Sequence, residues 1–206
     1  MSGKFGPLLP ALTIERAVYT RLRARLPTYL SHVAVVDGLT AGSLAKPKSY
    51  ATASQFGRQE DALPCIGVHV PGAVEQEKVG SGNYRVKWAL EVGALVSANT
   101  EVNTDRLAKL YGAAIWGTIM QAPSLGGVAE NIEWPDGAER YDELPSAQDS
   151  SRSLAFALLR FNVLAVDFRS TYGGPTVFVE PDTTAYGDWP SVTSIRVDVE
   201  ALPPLP

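Results

Sequence analysis

Between Asn83 and Gln121 the apolar residues change their spacing. Tyr84, Val86, Trp88, Leu90, Val92, Ala94 and Val96 alternate with Arg85, Lys87, Glu91 and Ser97, with Ala89, Gly93 and Leu95 filling the second register. That period of two predicts a half-buried strand from Tyr84 to Ala98. From Leu107 the apolar positions fall at Leu110, Tyr111, Ala114, Ile115, Thr118 and Ile119, the spacing of one helical face. Thr104 or Asn103 caps this helix, and Pro123 with Gly126–Gly127 stops it after Gln121. A sheet handing over to a helix that lies across it has this signature. The strand is too long for a small sheet unless its far end pairs with something else.

Other segments extend the pattern. Thr13 is a candidate N-cap with Glu15 in the first turn, and Ile14, Val18, Leu22 and Leu26 recur every four residues. This predicts an amphipathic helix ending at Pro27, with Arg16, Arg23 and Arg25 on its solvated faces. "HVAVVDG" reads as a short strand closed by an Asp-Gly turn. Leu39 to Ala62 shows neither period and predicts a long loop that is mobile, functional or ordered by a partner. "LPCIGVHVPG" is a strand bounded by Pro64 and Pro71, and "AVEQEKVGSGNYRV" a polar turn leading into the long strand.

Beyond the second helix, "VAENIEWPDGAERYDEL" reads as a short strand, a Pro-Asp-Gly turn and a polar return. In "SRSLAFALLRFNVLAVDFRS" the alternation slips, with Leu154, Phe156 and Leu158 in one phase and Leu159, Phe161, Val163 and Ala165 in the other. A bulge near Leu158–Leu159, or a strand covered on both faces, explains the slip. After Tyr172 come two short alternating segments, Val177 to Val179 and Ile195 to Val199, and a proline-rich tail. The organisation is a core over residues 1–171 with a long loop at 39–62, followed by an extension over 172–206 that fits an arm able to add strands to a neighbour's sheet.

Composition narrows the function classes. With 45% hydrophobic and 19% charged residues the 206-residue chain has the apolar content for a packed core. Its net charge of -4 gives no basic field for sequence-independent nucleic-acid binding. No run approaches the ~20 apolar residues of a membrane span, and Pro7 and Pro10 interrupt the start before it reaches signal-peptide length, so a soluble protein made in a reducing cytoplasm is expected. The single cysteine, Cys65, forms no internal disulfide or cysteine-based zinc site and reads as a small core hydrophobe.

Catalytic vocabulary is sparse. His32 and His69 have no metal-binding spacing, and no nucleophile elbow, P-loop or dinucleotide fingerprint is present; "GSG" at Gly80–Gly82 precedes a strand rather than a helix. Glu130, Glu133, Asp136, Glu139, Asp142 and Glu143 cluster around a turn without EF-hand order, and a solvated or partner-facing loop outweighs a metal site. No catalytic residue, cofactor or metal is therefore expected.

In the order of these elements, and in "LPCIGVHVPG", "YRVKWALEVGALVSA", "DRLAKLYGAAIWGTIMQ" and "LAFALLRFNVLAVDF", the chain resembles the tail terminator (tail completion) proteins of long-tailed bacteriophages, siphophages of actinobacteria above all. The resemblance spans about Leu12 to Arg169. It implies an α+β subunit, a small antiparallel or mixed sheet with two main helices on one face, assembled as a hexameric ring at the neck of the virion. Such a ring caps the tail tube, stops its polymerisation and offers the attachment surface for the head and its connector. The partners implied are other copies of the chain, the tail-tube protein and a head-completion protein, with DNA passing through the lumen and no membrane.

On this reading Lys46, Lys48 and Arg58 of the long loop and Asp136, Glu139, Asp142 and Glu143 of the acidic turn are the candidate contacts between rings. Tyr84, Val86, Trp88, Val92 and Val96 mark the candidate intersubunit strand, because an exposed strand edge is used up when identical subunits close head to tail. Alternatives are another neck ring (a head-closure or connector protein), a tail-tube subunit or, in a different class, a small hydrolase or ligand-binding protein using the acidic turn.

Overall fold

Ile14, Val18, Leu22, Leu26, Leu30 and Ala34 form one unbroken series at four-residue spacing, and all are buried. In the computed structural model, which describes residues 10–52, 62–78, 83–98, 101–145 and 153–168, this series is the inner face of a single helix, α1 (Pro10–Val36). The helix does not end at Pro27, and "HVAVVDG" is its last turn and cap rather than a strand. Proline inside a helix removes one backbone hydrogen bond and crowds the preceding turn, at a cost of about 3 kcal/mol. Burying Leu30 to 1% exposure and Ala34 completely beyond it recovers much of that cost. The Asp-Gly pair closes the helix: Gly38 has φ 78°, the Leu39 amide donates to the Ala34 carbonyl at 2.8 Å and the Gly38 amide to that of Val35 at 3.1 Å. That is a Schellman cap, which needs a glycine in the left-handed region.

The long segment after α1 is not free of structure. Leu44 is buried, the Tyr111 hydroxyl donates to the Ala45 carbonyl, and the Lys48 amide donates to the Pro64 carbonyl at 2.8 Å. These contacts deliver β1 (Ser49–Thr52), which pairs in parallel with the start of β2 (Cys65–Lys78). The rest of the expected loop, residues 53–61, lies outside the described residues. β2 runs through Pro71 and takes in "AVEQEK", which the sequence suggested was a turn. Its pairing with β3 (Asn83–Ala98) shifts register between His69 and Gly72 and again between Ala73 and Glu75. A residue without an amide donor is tolerated at such irregularities.

α2 (Glu101–Met120) buries Thr104, Ala108, Tyr111, Ala114, Ile115, Thr118 and Ile119. It begins a turn earlier than expected, so Asn103 and Thr104 lie inside the helix instead of capping it. β4 (Asn131–Glu133) and β5 (Glu139–Pro145) follow, and β6 (Ser153–Phe168) closes the described chain.

The result is an α+β fold with a six-stranded mixed sheet in the order β1-β2-β3-β6-β4, β5 also pairing with β6. β6 pairs with β3 along its whole length without a bulge, from Asn83↔Phe168 to Ala98↔Ser153. The slip in its alternation comes instead from burial on both faces at one end. Ala155, Ala157, Leu159, Phe161, Val163 and Ala165 join the main core under the helices, while Leu154 joins Ala51, Leu63, Cys65 and Leu95 in a small cluster on the other side, with Phe156 packed against it. Both helices cover the face formed by Val86, Trp88, Leu90, Val92, Ala94 and Val96.

β4 and β5 do not pair with each other. They lie end to end along the free side of β6, Ile132 opposite Val163 and Glu139 opposite Leu159. The turn between them carries Gly137 at φ 67°, and the Arg160 amide reaches the Ala138 carbonyl at 2.8 Å to hold the junction. The acidic turn is thus an interruption in an edge strand.

Trp116, Trp134 and Phe161 form a row of edge-on aromatics, with centroids 6.3 Å and 4.9 Å apart, running from solvent to the buried Phe161 of the sheet. Two glycines of α2 let other parts approach closely: Gly112 faces the Tyr141 ring and Gly117 the Tyr29 ring. A Cβ on Gly112 would stand 2.5 Å from the Tyr141 hydroxyl.

Candidate functional site

Strand alternation fixes where the charges go. On β3, Val86 and Trp88 point under the helices, so Arg85, Lys87 and Glu91 stand on the opposite face of the sheet. Arg85 is 3.8 Å from Glu77 and 3.0 Å from Glu130; Lys87 is 3.4 Å from Glu75 and 3.2 Å from Glu133; Arg160 is 3.0 Å from Glu91. These pairs run across the strands as rungs. The carboxylates, Glu133 first, push the Lys87 ammonium above its ordinary range. Pairs as exposed as these add little to stability individually and act on register and solubility.

The rungs take up part of the acidic cluster. Glu130 and Glu133 are committed to Arg85 and Lys87, Asp142 is 2.6 Å from Arg140, and Glu139 accepts a hydrogen bond from the Tyr141 hydroxyl at 3.0 Å. Asp136 and Glu143 are exposed at the edge. Among the described residues no group of three or more His, Cys, Asp and Glu side chains could hold a metal ion.

His32 lies on α1 instead of a strand, and His69 is 3.5 Å from Glu15 with its ring partly exposed. Cys65 is buried, and desolvation pushes its thiol above the usual range, against only a smaller opposing effect of a hydrogen bond with Ser49. A thiol held protonated is a poor nucleophile.

The candidate inter-ring contacts fall into two separated groups. Lys46 and Lys48 are exposed beside β1, at one edge of the sheet. Asp136, Glu139, Asp142 and Glu143 belong to the β4–β5 edge on the far side of β2, β3 and β6. Arg58 lies outside the described residues. The structure therefore does not bring the basic and acidic sets together in one subunit.

The candidate intersubunit strand is also placed differently. β3 is paired with β2 on one side and β6 on the other, and Val86, Trp88, Val92 and Val96 are buried in their own core with Tyr84 packed against it. Its length is matched by a β6 of equal length on one side, and β2 takes up Tyr84 to Leu95 on the other, so β3 is an interior strand and not an edge strand. Sequence reasoning lacked the partner: the phase slip in "LAFALLRFNVLAVDF" concealed a straight 16-residue strand.

Among the described residues the remaining sheet edges are β1, which is four residues long, the stretch of β2 past it from His69 to Lys78, which carries Pro71, Glu75, Glu77 and Lys78, β4, which is three, and β5, which carries Glu139, Arg140, Asp142, Glu143 and Pro145. Short strands, charges and proline at an edge discourage pairing with further strands. One residue missed by the sequence reading is Trp116, which projects from α2 at 42% exposure; the only signal was a tryptophan off the buried stripe of that helix.

Neither a protein-family model nor a curated protein sequence matches the chain.

Proposed function

We propose that the protein is a virion structural subunit, a tail terminator whose ring caps the tail tube, ends its growth and receives the head and its connector. The reading rests on the resemblance in element order and strand phrases, and the observation that carries it is the architecture. A mixed sheet has both helices on one face and carries on the other a small apolar cluster at one end and a set of ion-paired rungs. Such a subunit works by shape: one side of the ring reproduces the interface by which tube rings stack, the other does not, and polymerisation stops.

The chemistry of the described residues fits that role. Acidic side chains are tied up in salt bridges or spread along an edge, and the buried thiol is held protonated. No helix among the described residues is long and apolar enough to cross a membrane.

The test is genetic. A phage lacking this chain should accumulate filled heads and separate, overlong tails, both seen by electron microscopy, with infectivity restored when the protein is supplied in trans. Normal infectious particles without it would overturn the proposal.

A further inference from the structure

Resting on the ring reading, the geometry points to a specific joint between copies: Arg23, Lys46 and Lys48 of one subunit dock against Asp136, Glu139 and Glu143 of the next. The six side chains are exposed, and none of them takes part in an ion pair among the described residues. The other charges of the sheet are mostly matched. Lys87 has two carboxylates, Arg85 two, Arg160 one and Arg140 one. Among the described residues the carboxylates left without an ion pair, Asp136, Glu139 and Glu143, lie along the β4–β5 edge, while Lys46 and Lys48 lie at the β1 edge and Arg21, Arg23 and Arg25 on α1.

The basic group gathers beside β1. Arg23 acts electrostatically on the Tyr50 phenol within β1, Tyr50 packs edge-on against Tyr19 one turn before Arg23 on α1, and Lys48 immediately precedes the strand. The acidic group lines the other edge. Glu139 and Glu143 share a side of β5 with Tyr141, which faces Gly112 of α2, and so they stand on the helix-bearing side of the sheet, as α1 and Arg23 do. Asp136 sits in the turn between β4 and β5.

A surface that is positive at one edge and negative at the other is complementary to a second copy of itself in head-to-tail orientation. Such heterologous contacts generate rings when the rotation closes. They join through side chains here, because the charges and Pro145 on β5 oppose direct strand addition. Charge complementarity of this kind sets orientation and partner choice, and it weakens with salt.

The experiment uses the full chain and sedimentation velocity across a salt series. Two charge-reversed proteins are made, one carrying Asp136→Lys, Glu139→Lys and Glu143→Lys, the other Arg23→Glu, Lys46→Glu and Lys48→Glu, each checked for native circular dichroism. A neutral set, Asp136→Asn, Glu139→Gln and Glu143→Gln, serves if a reversed protein does not fold. The wild type should associate at low salt and dissociate as salt rises, and each variant alone should associate at least tenfold more weakly. Mixing the two reversed proteins should restore assembly, since each then meets an edge of opposite sign. Undiminished assembly of the variants, or no recovery on mixing, overturns this joint and leaves the ring reading intact; a wild type that stays monomeric at every concentration and salt overturns both.

Discussion

Replacing Pro27 by alanine tests the continuity of α1 directly. In the structure the helix passes through Pro27 and buries Leu30 and Ala34 on the far side. Pro27 has no amide to give the Arg23 carbonyl, and its ring crowds the preceding turn; alanine would restore the bond and remove the crowding, a difference of about 3 kcal/mol in a helix interior. Two effects oppose the gain. The unfolded chain becomes more flexible, worth about 0.4–1 kcal/mol, and the partly buried proline ring loses some contact. A net stabilisation of about 2 kcal/mol is expected, equivalent to a rise in Tm of about 4–8 °C for a chain of this size. Urea unfolding followed by circular dichroism should show a higher midpoint with an unchanged slope. Leu30→Ala should cost about 2–5 kcal/mol in the same assay, because Leu30 is a core residue only if the helix continues. An unchanged or lowered midpoint for Pro27→Ala would mean that α1 is interrupted there, as the sequence alone suggested.

Other perturbations read the packing. Gly112→Ala should destabilise the protein by about 1–3 kcal/mol through overpacking against Tyr141, and adding Tyr141→Phe should recover part of the loss by removing the hydroxyl that lies nearest; strictly additive losses in chemical denaturation would refute the contact. Trp88 is buried with an indole donor that has no hydrogen-bond partner among the described residues, so Trp88→Phe should change stability by less than about 1 kcal/mol while Trp88→Ala loses about 3–5; a large loss with phenylalanine would show that the donor is bonded. Desolvation pushes the Tyr50 phenol up to about 12, so the folded state holds this proton above pH 10 where the unfolded chain releases it. Stability should be insensitive to Tyr50 below pH 10 and fall between pH 10 and 12, and Tyr50→Phe should flatten that fall in urea titrations at fixed pH; the same fall in both proteins would refute the assignment.

How much of this was legible depended on whether local pattern and tertiary partner agreed. β3 and α2 carry clean periods of two and 3.6, and both form on those residues, α2 starting a turn before its expected cap. In α1 the stop signals of Pro27 and the Asp37–Gly38 pair oppose the four-residue series through Leu30 and Ala34, and the burial of that series decides in favour of a continuous helix. The second half of β2 is polar on both sides, since its carboxylates pair across the strands instead of facing a core, and so it resembled a turn. β1 is too short to show a period, and its place is fixed by Lys48 and Tyr111 contacts made elsewhere in the chain.

The candidate surfaces were legible as residue types only. Which charges pair and which stay free is decided by strand order, and that order turns on β6 entering between β3 and the β4–β5 edge. With β6 there, Lys87 and Arg85 lie within reach of Glu133 and Glu130, while Asp136, Glu139 and Glu143 are left at the rim.

The central claim, a subunit that closes into a single capping ring, is tested most directly by negative-stain imaging of the purified protein at low salt. Discrete hexameric rings that do not stack are the predicted result. Long stacked tubes would identify a tube subunit instead, and a uniform field of monomers would contradict the account.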